Sequence, residues 1–281
     1  MNAVEAGELS NVLEFINAGA DINLKHNGWT PLGRAFRKGK LDIVQALVRH
    51  GAELETRMDI GWGILPGDGT ALNWAAAEGH IEIVNFLVTK NAKIDPDAEK
   101  PVFFGTGGTP LKMAAGKGKL DVVRYLLDSG ADQASPEGKP GWTAFICACK
   151  EGQIEILKYF VQTKGFDVNH RGTDGLTPLH VAAKYNEPGA MKFLVDSGAS
   201  INIRDVHGNA SLHLVASEGR KKAAIWLRLQ GADLKLKNRT GMTRLDVSTS
   251  MFSGSDPSPD LVKCLDWSLP DPKMEAECII M

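Results

Sequence analysis

Three stretches of the chain are one sentence with edits: GWTPLGRAFRKGKLDIVQALVRHGAELE from Gly28, GGTPLKMAAGKGKLDVVRYLLDSGADQA from Gly107, and GLTPLHVAAKYNEPGAMKFLVDSGASIN from Gly175. Aligned on the threonine of Thr-Pro-Leu, or its substitute, the unit recurs at Thr30, Thr70, Thr109, Thr143, Thr177, Ala210 and Thr243. The gaps are 40, 39, 34, 34, 33 and 33 residues. A unit this short has no private core. It buries its apolar face only against copies of itself, so the sequence dictates a stack of units.

Each recurring residue has a physical reason to be there. Threonine caps a helix and proline suits its first turn. Alanine pairs such as Ala75-Ala76, Ala114-Ala115 and Ala182-Ala183 let neighbouring helices approach closely. Gly39, Gly79, Gly118, Gly152 and Gly219 suit a turn between two helices, and Gly51, Gly130, Gly198 and Gly231 suit a left-handed stop after the second. Ile83, Val84, Phe86 and Leu87 set a core stripe at helical spacing, and Trp74 and Trp226 read as filler in the same pattern. His180 and His213, after Leu in the motif, read as structural bonds to nearby backbone.

This pattern resembles the ankyrin repeat, a unit of hairpin, helix, helix. The resemblance implies an all-α ankyrin-repeat solenoid of helix-turn-helix pairs with β-hairpin-like fingers. It covers residues 1–249: a partial N-terminal cap closing at Ala18-Gly19-Ala20-Asp21, six full repeats, and a partial C-terminal repeat from Gly241. Residues 250–281 are a Ser/Pro/Asp-rich tail, a composition typical of linkers.

The first two gaps exceed 33 residues by seven and six, so two long fingers are expected between the early repeats. They read ETRMDIGWGILPGDG and DPDAEKPVFFGTGG. Trp62, Phe103 and Phe104 within them are more apolar than a solvated loop needs. Two readings stand: the fingers bury their own aromatics, or they offer a partner its landing site, since aromatics dominate binding hot spots. Trp29 and Trp142 occupy a finger position that often contacts ligands in the resembled family. The residues before each inter-helix turn, among them Arg37-Lys38, Lys150-Glu151 and Lys184-Tyr185, line the concave face that the resemblance implies. The candidate partner-binding residues are therefore Trp29, Trp62, Phe103, Phe104, Trp142 and Tyr185.

Catalytic motifs are missing. The chain has no G-x-S-x-G elbow and no GxxxxGK[ST] loop. Its four cysteines, Cys147, Cys149, Cys264 and Cys278, form no zinc spacing. No catalytic residue, metal ligand or cofactor is assigned. A formal net charge of −2 gives no global pull toward nucleic acid. No apolar run approaches the ~18–20 residues of a membrane span, and the first residues have no basic start or apolar core of a secretory signal.

The sequence closes on Cys278-Ile279-Ile280-Met281, which fits the C-a-a-X prenylation pattern, with terminal methionine favouring farnesyl. Cys278 is the lipidation candidate. The expected protein is a monomeric, non-catalytic adaptor in the cytoplasm that recognises a protein partner and is held at a cytosolic membrane face by its lipid. One chain binds membranes only marginally, so a second signal is expected. The basic run of Arg220, Lys221, Lys222, Arg228, Lys235, Lys237, Arg239 and Arg244 is either that signal or a solubilising cap. The alternatives are a soluble adaptor, inhibitor or host-directed effector whose CIIM is accidental, and an enzyme with a cleft on the repeat surface.

Overall fold

The computed structural model describes residues 1–56, 58–59, 68–95, 108–133, 142–243 and 246. Trp62, Phe103, Phe104 and Cys278 lie outside the described residues. The described chain is built of short helices in pairs, as the period predicts. It divides into two units, Met1–Cys147 and Ala148–Met281.

The first unit contains α1 (Asn2–Ala6), α2 (Leu9–Asn17), α3 (Pro31–Arg37), α4 (Leu41–Arg49), α5 (Ala71–Glu78), α6 (Ile81–Thr89), α7 (Pro110–Gly116) and α8 (Leu120–Asp128). α1, α3, α5 and α7 pack side by side as an inner row, and α2, α4, α6 and α8 as an outer row. Ala35, Ala75, Ala76, Ala114 and Ala115 are fully buried in the inner row, where small side chains permit the close approach. The first long finger holds a two-residue antiparallel ladder, β1 (Met58–Asp59) against β2 (Asp68–Gly69), pairing Met58 with Gly69 and Asp59 with Asp68.

α9 (Ala144–Lys150) crosses the division between the units. The second unit continues with α10 (Ile154–Lys158), a π-helical turn (Tyr159–Thr163), α11 (Pro178–Tyr185), α12 (Pro188–Asp196), α13 (Ser211–Ser217) and α14 (Lys221–Leu229). α11 packs on both α12 and α13. The π-helical turn explains one irregularity of period. Glycines close the second helix twelve residues after the turn glycine in Gly39/Gly51 and Gly118/Gly130, but thirteen after it in Gly152/Gly165. The surplus residue widens one turn, the usual fate of a single insertion in a helix.

The inner helices begin with the expected caps. Thr30 Oγ1 accepts from the Gly33 N–H at 3.1 Å, and Thr143 Oγ1 from Ile146 at 3.3 Å. In α11 the cap is reciprocal. His180 Nδ1 accepts from the Thr177 N–H at 3.1 Å and from its hydroxyl at 2.7 Å, while His180 Nε2 donates to the Asn209 carbonyl at 3.1 Å. His213 repeats this from Ala210 N–H (3.2 Å) to the Leu236 carbonyl (3.1 Å), although Ala210 has no hydroxyl to cap with. The structural reading of both histidines is thus met. Each imidazole joins its own helix start to the finger of the next repeat. Burial pushes both pKa values below the ordinary 6.5.

A second set of inter-repeat bonds was not anticipated from the sequence. Side-chain oxygens at finger positions accept backbone N–H groups one repeat later: Asn23 from Glu53, Glu55 from Lys93 and Asp95 from Asp132 in the first unit. Asn169 takes Ser200 and Asn202 takes Asp233 in the second. The amides also donate, Asn169 to the Gly198 carbonyl and Asn202 to the Gly231 carbonyl. Asp95 cannot donate when ionised. Its Oδ1 is buried without a partner, and burial, aided by the nearby Asp132 charge, raises its pKa.

Candidate interaction surface

The burial pattern separates frame from surface. Along the inner helices, Thr-x-Leu and the alanines are buried. The two residues before each turn differ from repeat to repeat: Arg37-Lys38, Ala77-Glu78, Gly116-Lys117, Lys150-Glu151, Lys184-Tyr185 and Ser217-Glu218. The second of each pair is exposed throughout. Such a surface changes chemistry from repeat to repeat without disturbing the frame that carries it.

Tyr185 is 38% exposed, and the Lys150 ammonium lies 5.2 Å from its ring centroid. Lys150 also bridges Glu151 at 2.8 Å. Glu187 approaches from the start of α12, and its pKa is raised by burial and then by the Glu151 charge. Gly152 makes this packing possible. Its φ of +66° is left-handed, and a Cβ there would lie 2.2 Å from Glu187 Oε2. One cation, two carboxylates and an aromatic face therefore share an edge of the second unit, an arrangement suited to polar contacts around one aromatic anchor.

Trp29 and Trp142 require a correction. The sequence reading puts both rings forward as partner contacts, but they are only 4% and 6% exposed. Trp29 packs on Trp74 with centroids 5.1 Å apart at 54°, and Met1 covers the pair. An indole is the largest apolar side chain available, and next to a second tryptophan in the adjacent repeat it gains more from burial than from water. The sequence could not show this, because the finger position and the Trp74 position meet only in the stack. On the solvent side of Trp29 lie two guanidinium groups, Arg34 at 5.7 Å and Arg37 at 5.5 Å from the ring centroid. Arg37 was legible as a residue before the turn; its seat on Trp29 was not.

Among the described residues no three or more His, Cys, Asp or Glu side chains gather as metal ligands. No helix there is long and apolar enough to cross a membrane.

Comparison with known proteins adds the ancestry. The chain is 34% identical over 103 residues to a putative ankyrin repeat protein of fowlpox virus, covering 36% of this chain and 30% of that protein. It is 32% identical over 119 residues to the rat ankyrin repeat and SAM domain-containing protein 6, covering 42% of this chain and 13% of that one. A longer match, 26% over 252 residues, is to the E3 ubiquitin-protein ligase KEG of Arabidopsis thaliana, covering 85% of this chain but 15% of the ligase. The chain thus spans less than a third of the length of each of these relatives. Family profiles for ankyrin repeats match residues 1–100, 94–172 and 161–215. The paired short helices, capped at Thr-Pro-Leu and turned at glycine, together with these matches place the chain in the ankyrin repeat family.

Proposed function

We propose that this chain is a non-catalytic protein-binding module that recognises its partner through the residues before the inter-helix turns. The observation that carries this reading is the contrast between a frame repeated in kind and exposed residues before the turns that change from repeat to repeat. The relative named as a ligase is a protein of which this chain spans 15%, so that resemblance supports the repeats and carries no catalysis to this chain. Tyr185 is the anchor to test, because it is a half-exposed aromatic held in place by Lys150. Tyr185→Ala is expected to leave the melting temperature unchanged and weaken binding of a captured partner by roughly 2 kcal/mol, about thirtyfold. Equal capture of every bound protein by wild type and variant would remove Tyr185 from the surface.

The tail adds a location to this reading. Its support is the motif CIIM alone. In a eukaryotic cell a prenylated Cys278 adds mass to the chain and shifts it to membranes, and Cys278→Ser abolishes both. Identical mass and distribution of the two forms would leave a soluble adaptor or host-directed effector, the alternative reading.

A further inference from the structure

The helix pair of the first full repeat is dominated by positive charge. Between Ile22 and Ala52 the chain places Lys25, Arg34, Arg37, Lys38, Lys40 and Arg49 against a single acid, Asp42. Two of these cations share one ring, since Arg34 and Arg37 both stand over Trp29. Their situations differ. Arg34 is largely covered and pairs with Glu5 of α1, leaving its Nε–H buried without an acceptor. Arg37 is exposed, and no carboxylate among the described residues meets its guanidinium. Its backbone carbonyl faces His80 Nε2 of the next repeat at 3.5 Å.

Two guanidinium groups beside one ring repel, and one carboxylate neutralises only one of them. The ring in turn restrains Arg37. A guanidinium seated against a buried indole keeps its planar fork in a limited set of orientations, so less freedom is lost when it binds. A lysine would not be held in this way. The equivalent residues of the next two repeats are Ala77 and Gly116, which carry no charge, and in the two after those the position is Lys150 and Lys184, so an arginine there is particular to this repeat among the described ones.

We infer that Arg37, seated on Trp29, receives a carboxylate of an acidic peptide segment in a partner protein, with Lys38 adding to the attracting field. The carboxylate accepts two N–H bonds from the guanidinium fork. Trp29 is a positioning residue here and does not touch the partner. The inference rests on the protein-binding reading and names the chemistry of one contact within it.

The test selects random dodecapeptides displayed on phage against the full chain at low ionic strength, then synthesises the enriched sequences. The expected outcome is enrichment of Asp and Glu, with affinity falling as salt rises. Arg37→Gln should weaken an enriched acidic peptide by about tenfold or more, and Arg37→Lys by less. Replacing the critical Asp of the peptide by Asn should cost a similar factor. Combining that change with Arg37→Gln should cost little more than either alone, which identifies the pair. Arg37 is exposed, so its variants should melt with the wild type. Enrichment of neutral peptides that Arg37→Gln retains would overturn the inference and leave the protein-binding reading standing. Failure to enrich any peptide would overturn it too. So would loss of binding to phosphatidylserine vesicles in Arg37→Gln without any effect on acidic peptides.

Discussion

Phe36→Ala should lower the stability of the first unit by about 3–5 kcal/mol, the cost of deleting a large aromatic from a closed core. Phe36 is among the largest fully buried side chains, in α3 between α4 and α5. Neither neighbour is free to collapse into the gap, because α4 also packs on α2 and α6, and α5 on α6 and α7. The loss therefore includes a cavity as well as the transfer of the ring. Stability in a repeat array is a sum of unit and interface terms, and this change weakens both at one place. Urea unfolding followed by a probe in the first unit should show an early transition in the variant. A shift worth under about 1.5 kcal/mol would mean that α3 does not form part of a closed core.

His180→Ala should cost about 3 kcal/mol and flatten the dependence of stability on pH. The substitution strands the Thr177 N–H and leaves the Thr177 hydroxyl without its acceptor, while the Asn209 carbonyl keeps the Asp205 N–H; each buried orphan costs about 1–3 kcal/mol unless water reaches it. The pH effect follows from the direction of the shift. Burial lowers the folded pKa of His180 and of His213 below 6.5, so the unfolded chain binds protons first. The stability that the neutral rings contribute is complete above the unfolded pKa near 6.5. It is lost as pH falls from there through the depressed folded values. Melting temperature measured between pH 7.5 and 5 should fall in the wild type and fall less in His180→Ala. A wild-type melting temperature that rises over that descent would contradict the buried neutral imidazoles.

Much of this fold was legible because the repeat states each requirement several times. The turn glycines could be named from their spacing, and two departures confirm the reason for them. Asn91 and Asn186 stand where other repeats have glycine, with φ of 62° and 61°, the left-handed region that asparagine enters more readily than other non-glycine residues. Thr177 was legible as a cap and His180 as a bond to nearby backbone, but that the two close one reciprocal cap was not. The surface was harder to read. Whether Trp29 faces solvent depends on Trp74, forty-five positions away in sequence and in the next repeat. The acceptors Asn23, Glu55, Asp95, Asn169 and Asn202 escaped notice for a related reason. Each acts on a backbone N–H about thirty to forty residues later, and backbone leaves no trace in residue identity.

The widened turn at Tyr159–Thr163 bears on how such a chain tolerates change in length. An extra residue advances an α-helix by about 100°, enough to turn a buried stripe toward water. Here Phe160 remains fully buried, and its ring meets Phe166 beyond the helix at 6.1 Å. The added residue is taken up within the last turn, so α10 before it keeps its facing and the chain after it leaves the helix in place. In a stacked array that local slack acts as an expansion joint: a codon gained in one unit need not be matched by a codon lost in another, and the units that follow inherit no error of phase.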